Sequence, residues 1–160
     1  MTNLKIAVQK SGRLNEDSLT LLKECGISIN NGRDQLMAQA SNFPLEVLYL
    51  RNTDIPQYVK DGVADIAIIG DNTEKEKKTG IVNTLNLGFS KCRLSIAVSK
   101  NVDFPDISWL QGKRIATSYP NSLKDFLTEN NIEAEIHEIS GSVEVAPNIG
   151  LADAICDLVS

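Results

Sequence analysis

Apolar and polar positions trade places along this chain in short bursts separated by turn residues. Leu4-Lys5-Ile6-Ala7-Val8 alternates and reads as a first strand closing at Gln9. Lys10-Ser11-Gly12-Arg13-Leu14 follows as a turn. Leu19, Leu21 and Leu22 give the next segment an apolar helical stripe, with Asn15 as N-cap and Gly26 as stop. Asn30-Asn31-Gly32 signals a turn. Met37 to Ala40 predicts a short strand, and Leu45 to Leu50 a longer alternating one. Asp54 caps a helix that carries Pro56 in its first turn, where proline is well tolerated, and Gly62 ends it. Asp65 to Ile69 is almost wholly apolar, which suits a strand in a parallel sheet covered on both faces.

Thr73 to Gly80 is polar and predicts a solvated helix or loop. Strand character resumes at Leu94 to Val98. Ser108 to Gly112 forms a turn or short helix, and Arg114 to Thr117 a strand. Asn121 or Ser122 caps a helix from Leu123 to Glu129. Glu133 to Ile139 is a further strand, Ser142 to Ile149 a short helical piece interrupted by Pro147, and Ala154 to Val159 the last strand.

The tetrapeptide Gly62-Val63-Ala64-Asp65 recurs as Gly150-Leu151-Ala152-Asp153, and each copy launches an apolar run. The repeat predicts an α/β protein of two similar β-α-β-α-β lobes, 1–91 and 92–160, with a cleft between them. Strands alternating with helices predict parallel sheets with right-handed crossovers. Ligands of such sheets bind at strand carboxyl ends. Those ends fall at Gln9 to Arg13, Gly70 to Asn72, Thr117 to Ser122, Ser140 to Glu144, and from Asp157 onward.

Composition narrows the classes. A chain of 160 residues that is 42% hydrophobic and 23% charged is globular rather than disordered. A formal charge of −5 argues against nucleic acid or an anionic membrane as partner. No apolar run reaches membrane-span length, and Met1 leads into a strand rather than a signal peptide, so a cytoplasmic protein is expected. Cys25, Cys92 and Cys156 are scattered, and His137 is the one histidine. That set argues against structural zinc and for free thiols in a reducing compartment.

Four segments could carry chemistry. Lys10-Ser11-Gly12-Arg13 reads either as an ordinary turn with charges in water or as a phosphate cradle of backbone N–H groups and two cations. Gly70-Asp71-Asn72 reads as a plain turn or as a hydroxyl-binding loop. Thr117-Ser118-Tyr119-Pro120-Asn121-Ser122 places three Ser and Thr hydroxyls beside a helix start, more than capping needs, and suits a phosphate or sugar. In Gly141-Ser142-Val143-Glu144 the acid either completes a helix start or accepts hydrogen bonds from a ribose or an amine. Asp157 interrupts an apolar strand: it either faces solvent from an edge or binds ribose hydroxyls or a metal-bound water. There is no GxSxG elbow, GxGxxG or Walker loop, and His137 lies between Glu135 and Glu138 as a surface residue.

Taken together in order, these segments resemble the ATP phosphoribosyltransferase family, whose reaction begins histidine biosynthesis. The resemblance runs over Leu4 to Leu14, Asp65 to Gly70, Cys92-Arg93-Leu94-Ser95, Lys113 to Pro120, Gly141 to Pro147 and Gly150 to Ser160. The Lys-Ser-Gly-Arg-Leu form resembles the long, self-sufficient branch. The resemblance implies a fold like type II periplasmic binding proteins. It implies transfer of phosphoribosyl from phosphoribosyl pyrophosphate to N1 of ATP, with pyrophosphate leaving and Mg2+ required. Lys10, Ser11, Gly12, Arg13 and Leu14 would hold nucleotide phosphates. Asp71, Asn72, Thr117, Ser118, Tyr119 and Pro120 would line the nucleotide site, with charge added by Arg93. Glu144 and Asp157 would contact ribose or the magnesium shell and, with Arg13, form the catalytic group. AMP is implied as an inhibitor, and the full-length protein as a homo-oligomer. Beyond the last strand the family has a Thr-Gly-x-Thr turn that grips the 5-phosphate, returning strands and a histidine-binding regulatory domain. This chain stops at Ser160, so a truncated and impaired fragment is expected. The competing expectations are a two-lobed module that binds a small anion or solute without catalysis, and a remnant that assembles with other subunits.

Overall fold

Three consecutive apolar residues, Ile6-Ala7-Val8, fill the middle of strand β1 (Leu4–Gln9) and are all buried. Ile6 and Val8 join one apolar cluster and Ala7 another, so β1 is covered on both faces. The computed structural model describes residues 2–30 and 35–160; Asn31 and Gly32 of the turn read at 30–32 lie outside them. The chain divides into two compact units, Met1–Lys91 and Cys92–Ser160.

In the first unit β1 is followed by α1 (Arg13–Glu24), β2 (Met37–Gln39), β3 (Leu45–Leu50), α2 (Ile55–Lys60), β4 (Ile66–Ala67) and α3 (Asp71–Lys77). The sheet order is β2-β3-β1-β4, with β1 parallel to β3 and β4, and β2 antiparallel to β3. The second unit has β5 (Arg93–Ala97), a 3-10 turn at Ile107–Leu110, β6 (Arg114–Thr117), α4 (Pro120–Glu129), β7 (Glu135–Glu138), a 3-10 turn at Val143–Val145 and β8 (Ala154–Val159). Its order is β5-β8-β6-β7, with β6 parallel to β7 and β8, and β5 antiparallel to β8.

The α/β class and the duplicated strand plan hold. β3-β1-β4 and β7-β6-β8 are the same arrangement, three parallel strands with the earliest in sequence flanked by the two later ones. The expectation of purely parallel sheets is corrected: each sheet has one antiparallel border strand. The two borders differ, since β2 lies beside the second strand of its set and β5 beside the third. Alternation shows which side chains share a face; it does not give strand direction.

The repeated tetrapeptides are equivalent corners. Gly62 and Gly150 both have φ of 74°. Val63 N and Ala64 N both donate to Tyr58 O, as Leu151 N and Ala152 N both donate to Ala146 O. Ala64 and Ala152 are buried. Asp65 Oδ2 accepts from Lys5 N at 2.8 Å, and Asp65 N donates to Lys5 O at 2.9 Å. Asp153 repeats this with Arg114: its Oδ2 accepts from Arg114 N at 2.9 Å, and its N donates to Arg114 O at 2.8 Å. Each aspartate thus ties the entry of a third strand to the start of the first.

Hydrogen bonds from the Arg114 side chain, then from its backbone, hold the Asp153 carboxyl below the usual carboxylate range. A folded value below the unfolded one gives stabilisation that is present above the unfolded value of about 3.9 and lost as pH falls through the folded value. Both side chains are more than a third exposed, at 41% and 35%, so the effect is small. Asp153→Asn is therefore expected to lower the melting temperature slightly at neutral pH. The gap to the unmodified protein should close below about pH 4 in melts run across the acid range.

Helix starts differ from the sequence expectation. Gly12, not Asn15, is the N-cap of α1, and the Asn15 side chain instead donates to Gln9 O at 2.7 Å. Tyr119, not Asn121 or Ser122, stands at the N-cap of α4, with Pro120 in the first turn. The segment from Thr73 is not simply solvated: Thr73 and Glu76 are buried on α3. Among the described residues no helix is long and apolar enough to cross a membrane.

Candidate functional site

In the first unit the carboxyl ends of β1, β3 and β4 lie along one sheet edge. Lys10 N donates to Leu50 O at 2.9 Å and so joins the ends of β1 and β3. Lys10, Ser11, Gly12 and Arg13 are exposed, and Leu14 is half-buried against the apolar cluster. Gly12 has φ of 82° and ψ of −174°. Only glycine occupies that region freely, so the sequence turns from strand to helix there because residue 12 lacks a Cβ. Gly12→Ala is expected to reduce stability by about 1–3 kcal/mol. Denaturant melts check the effect.

Arg13 uses one donor internally: its Nη2 donates to Lys91 O at 3.0 Å. Among the described residues the other donors of its fork have no partner. One helical turn on, Asp17 Oδ2 accepts from Ser90 Oγ at 2.5 Å. After β4, Gly70 is an extended N-cap with φ of −75°, so no positive φ is needed there. Asp71 is the exposed first residue of α3, and Asn72 is half-buried and has a partner.

Asn52, just past β3, donates from Nδ2 to Thr73 Oγ1 at 2.6 Å, and its Oδ1 is buried without a partner. This contact joins the carboxyl ends of β3 and β4, and the sequence reading missed it. The signal was available, because Arg51 and Asn52 directly follow an alternating strand.

In the second unit Thr117 is fully buried; its hydroxyl donates to Cys156 O at 2.7 Å and accepts from Tyr119 N at 2.9 Å. Those bonds engage it inside the fold. Ser118 remains half-exposed and donates to Ile139 O at 2.5 Å, keeping its lone pairs. Tyr119 and Pro120 begin α4 beside it.

Asp157 is not on an edge strand, because β8 is flanked by β5 and β6. Its Oδ1 accepts from Leu158 N at 2.8 Å. Ser95 of β5 pairs with Asp157 and Arg93 with Val159, so the start of β5 meets the carboxyl end of β8. Arg93, Ser118 and Asp157 therefore gather on one edge. Arg93 and Asp157 share a face of the sheet with Ile155, against which Val143 and Ala146 pack. Glu144 is exposed in the turn that covers this face.

Chemically, the first unit offers cations and backbone N–H groups, and the second a hydroxyl, an arginine and carboxylates. His137 Nε2 contacts Glu135 Oε1 at 2.9 Å on β7. Among the described residues no cluster of three or more His, Cys, Asp or Glu could hold a metal ion.

A family model described as HisG: ATP phosphoribosyltransferase matches residues 51–160. The ATP phosphoribosyltransferase of Cytophaga hutchinsonii is 61% identical over 99% of this chain and 56% of its own length. That of Phocaeicola vulgatus is 55% identical over 98% of this chain and 56% of its own length. The chain thus spans just over half the length of these curated relatives. Among solved structures, the ATP phosphoribosyl transferase (HisG:HisZ) complex from Thermotoga maritima matches with a TM-score of 0.79. The two are 30% identical over 98% of this chain and 74% of that one.

Proposed function

The chain belongs to the ATP phosphoribosyltransferase family, and from that premise we propose that it supplies substrate-binding surfaces for phosphoribosyl transfer from phosphoribosyl pyrophosphate to N1 of ATP. What carries this reading to particular residues is the exposed Lys10–Arg13 turn, built on a glycine conformation that opens backbone N–H groups beside two cations. Lys10, Gly12 and Arg13 hold the nucleotide phosphates. In the first unit Asp71 and Asn72, and in the second Ser118 and Tyr119, are nucleotide contacts, and Arg93 adds positive charge to the second. Glu144 and Asp157 contact ribose hydroxyls.

Adenine N1 is a weak nucleophile, so the protein contributes orientation and charge stabilisation rather than a covalent intermediate. N1 bonds to the anomeric carbon as the bond to pyrophosphate breaks, and the pyrophosphate keeps the electron pair. Magnesium would supply charge neutralisation on that leaving group, and Asp157 would hold it through its water shell. AMP is proposed as an inhibitor through the same nucleotide groups. The whole protein is proposed to work in the cytoplasm as an oligomer, and the Thermotoga relative's occurrence in a complex supports assembly.

Calorimetry with ATP and with phosphoribosyl pyrophosphate tests the reading, together with pyrophosphate release by the whole protein. Heat on adding ATP is expected. Tight binding of an amino acid or oxyanion, with no response to ATP or to phosphoribosyl pyrophosphate, would instead identify a solute-binding module.

A further inference from the structure

Arg13 and Asp17 stand one turn apart on α1, at the spacing where opposite charges meet. Among the described residues they do not pair with each other. Arg13 takes the carbonyl of Lys91 at 3.0 Å, and Asp17 takes the hydroxyl of Ser90 at 2.5 Å. Both contacts go to one segment. Phe89 packs that segment against the apolar cluster that also holds Leu14 and Leu22. Ser90 sits at φ of 48°, a left-handed conformation uncommon for a residue with a side chain.

The consequence is electrostatic. A carboxylate on Arg13 would neutralise it and occupy two donors of its fork. A neutral carbonyl orients the guanidinium through one donor and leaves its charge uncompensated. We propose that Ser90 engages Asp17 so that Arg13 stays unpaired and available to phosphate, which makes Ser90 a positioning residue for Arg13. The inference rests on the reading of Arg13 as a phosphate ligand and adds the device that keeps it ready.

The test is ATP affinity by calorimetry on the protein and four variants. Ser90→Ala frees Asp17 to pair with Arg13, and affinity should fall about three- to fivefold, the size of an exposed ion pair. Asp17→Asn still accepts from Ser90 but cannot neutralise Arg13, so affinity should stay within about twofold of the unmodified protein. The double variant Ser90→Ala with Asp17→Asn removes the competing charge, and affinity should return to that level. A merely structural serine would give no such rescue, since the second change restores no contact. Unchanged affinity in Ser90→Ala, or failure of the double variant to recover, overturns the inference. Arg13→Ala separates the two levels: if it binds ATP like the unmodified protein, or if the unmodified protein binds no ATP, the reading of Arg13 falls and the inference with it.

Discussion

Arg13→Ala in the whole protein is expected to raise the KM for ATP or lower turnover by at least about tenfold, equivalent to roughly 1.4 kcal/mol. The arginine is exposed, and its internal contact is a single bond to Lys91 O, so its loss leaves the fold in place. What disappears is a forked cation beside the turn proposed to receive the nucleotide phosphates. Arg13→Lys should recover part of the loss, because it returns the charge without the two-pronged geometry. Steady-state kinetics with ATP varied at fixed phosphoribosyl pyrophosphate measure both. Unchanged kinetics for the alanine variant would remove Arg13 from the site.

The largest stability effect is expected at Ile115. It lies in β6, between β7 and β8, with no exposed surface, and its cluster includes Leu110, Leu123, Leu127 and Ala154. Removing three carbons there forfeits burial and leaves a cavity, so Ile115→Ala should reduce unfolding free energy by about 2–5 kcal/mol. Small proteins hold only about 5–15 kcal/mol in total. The single tryptophan, Trp109, packs on the same cluster and reports its loss by fluorescence in denaturant. Ile149→Ala is the control: that side chain is 69% exposed, and its removal should shift stability by less than about 0.5 kcal/mol. A midpoint for Ile115→Ala equal to that of Ile149→Ala would contradict the packing.

The elements that could be read from sequence are those whose signal is local. The strand at Arg114–Thr117 and the strand from Leu4 to Gln9 occupy the residues their patterns name. The repeated tetrapeptide announced two matching corners, because glycine, a small buried residue and an aspartate are each required there. Helix starts were less legible. Asn15 has the chemistry of a cap, yet the backbone leaves β1 through Gly12, and the asparagine bonds to the strand end behind it. The reversed directions of β2 and β5 have no local signature, since an apolar strand looks the same either way round.

At the candidate site, exposure of the Lys10–Arg13 turn was inferable, but the engagement of Thr117 was not. A hydroxyl beside a helix start suits a ligand and an internal bond equally, and only the position of Cys156 O decides between them. Asn52 and Ser90 were missed because their roles arise from partners far along the chain, Thr73 and Asp17.

The two sheets finish differently at their outer strands. β7 ends its sheet with Glu135 and Glu138 both exposed, and a like strand arriving alongside would set carboxylate against carboxylate. β2 ends the other sheet beside Leu36 and Met37, which are 77% and 54% exposed and carry no charge. Strand-by-strand recruitment of a further copy is therefore repelled at β7 and meets no charge at Leu36 and Met37, so an added copy is expected to pair along β2 rather than β7.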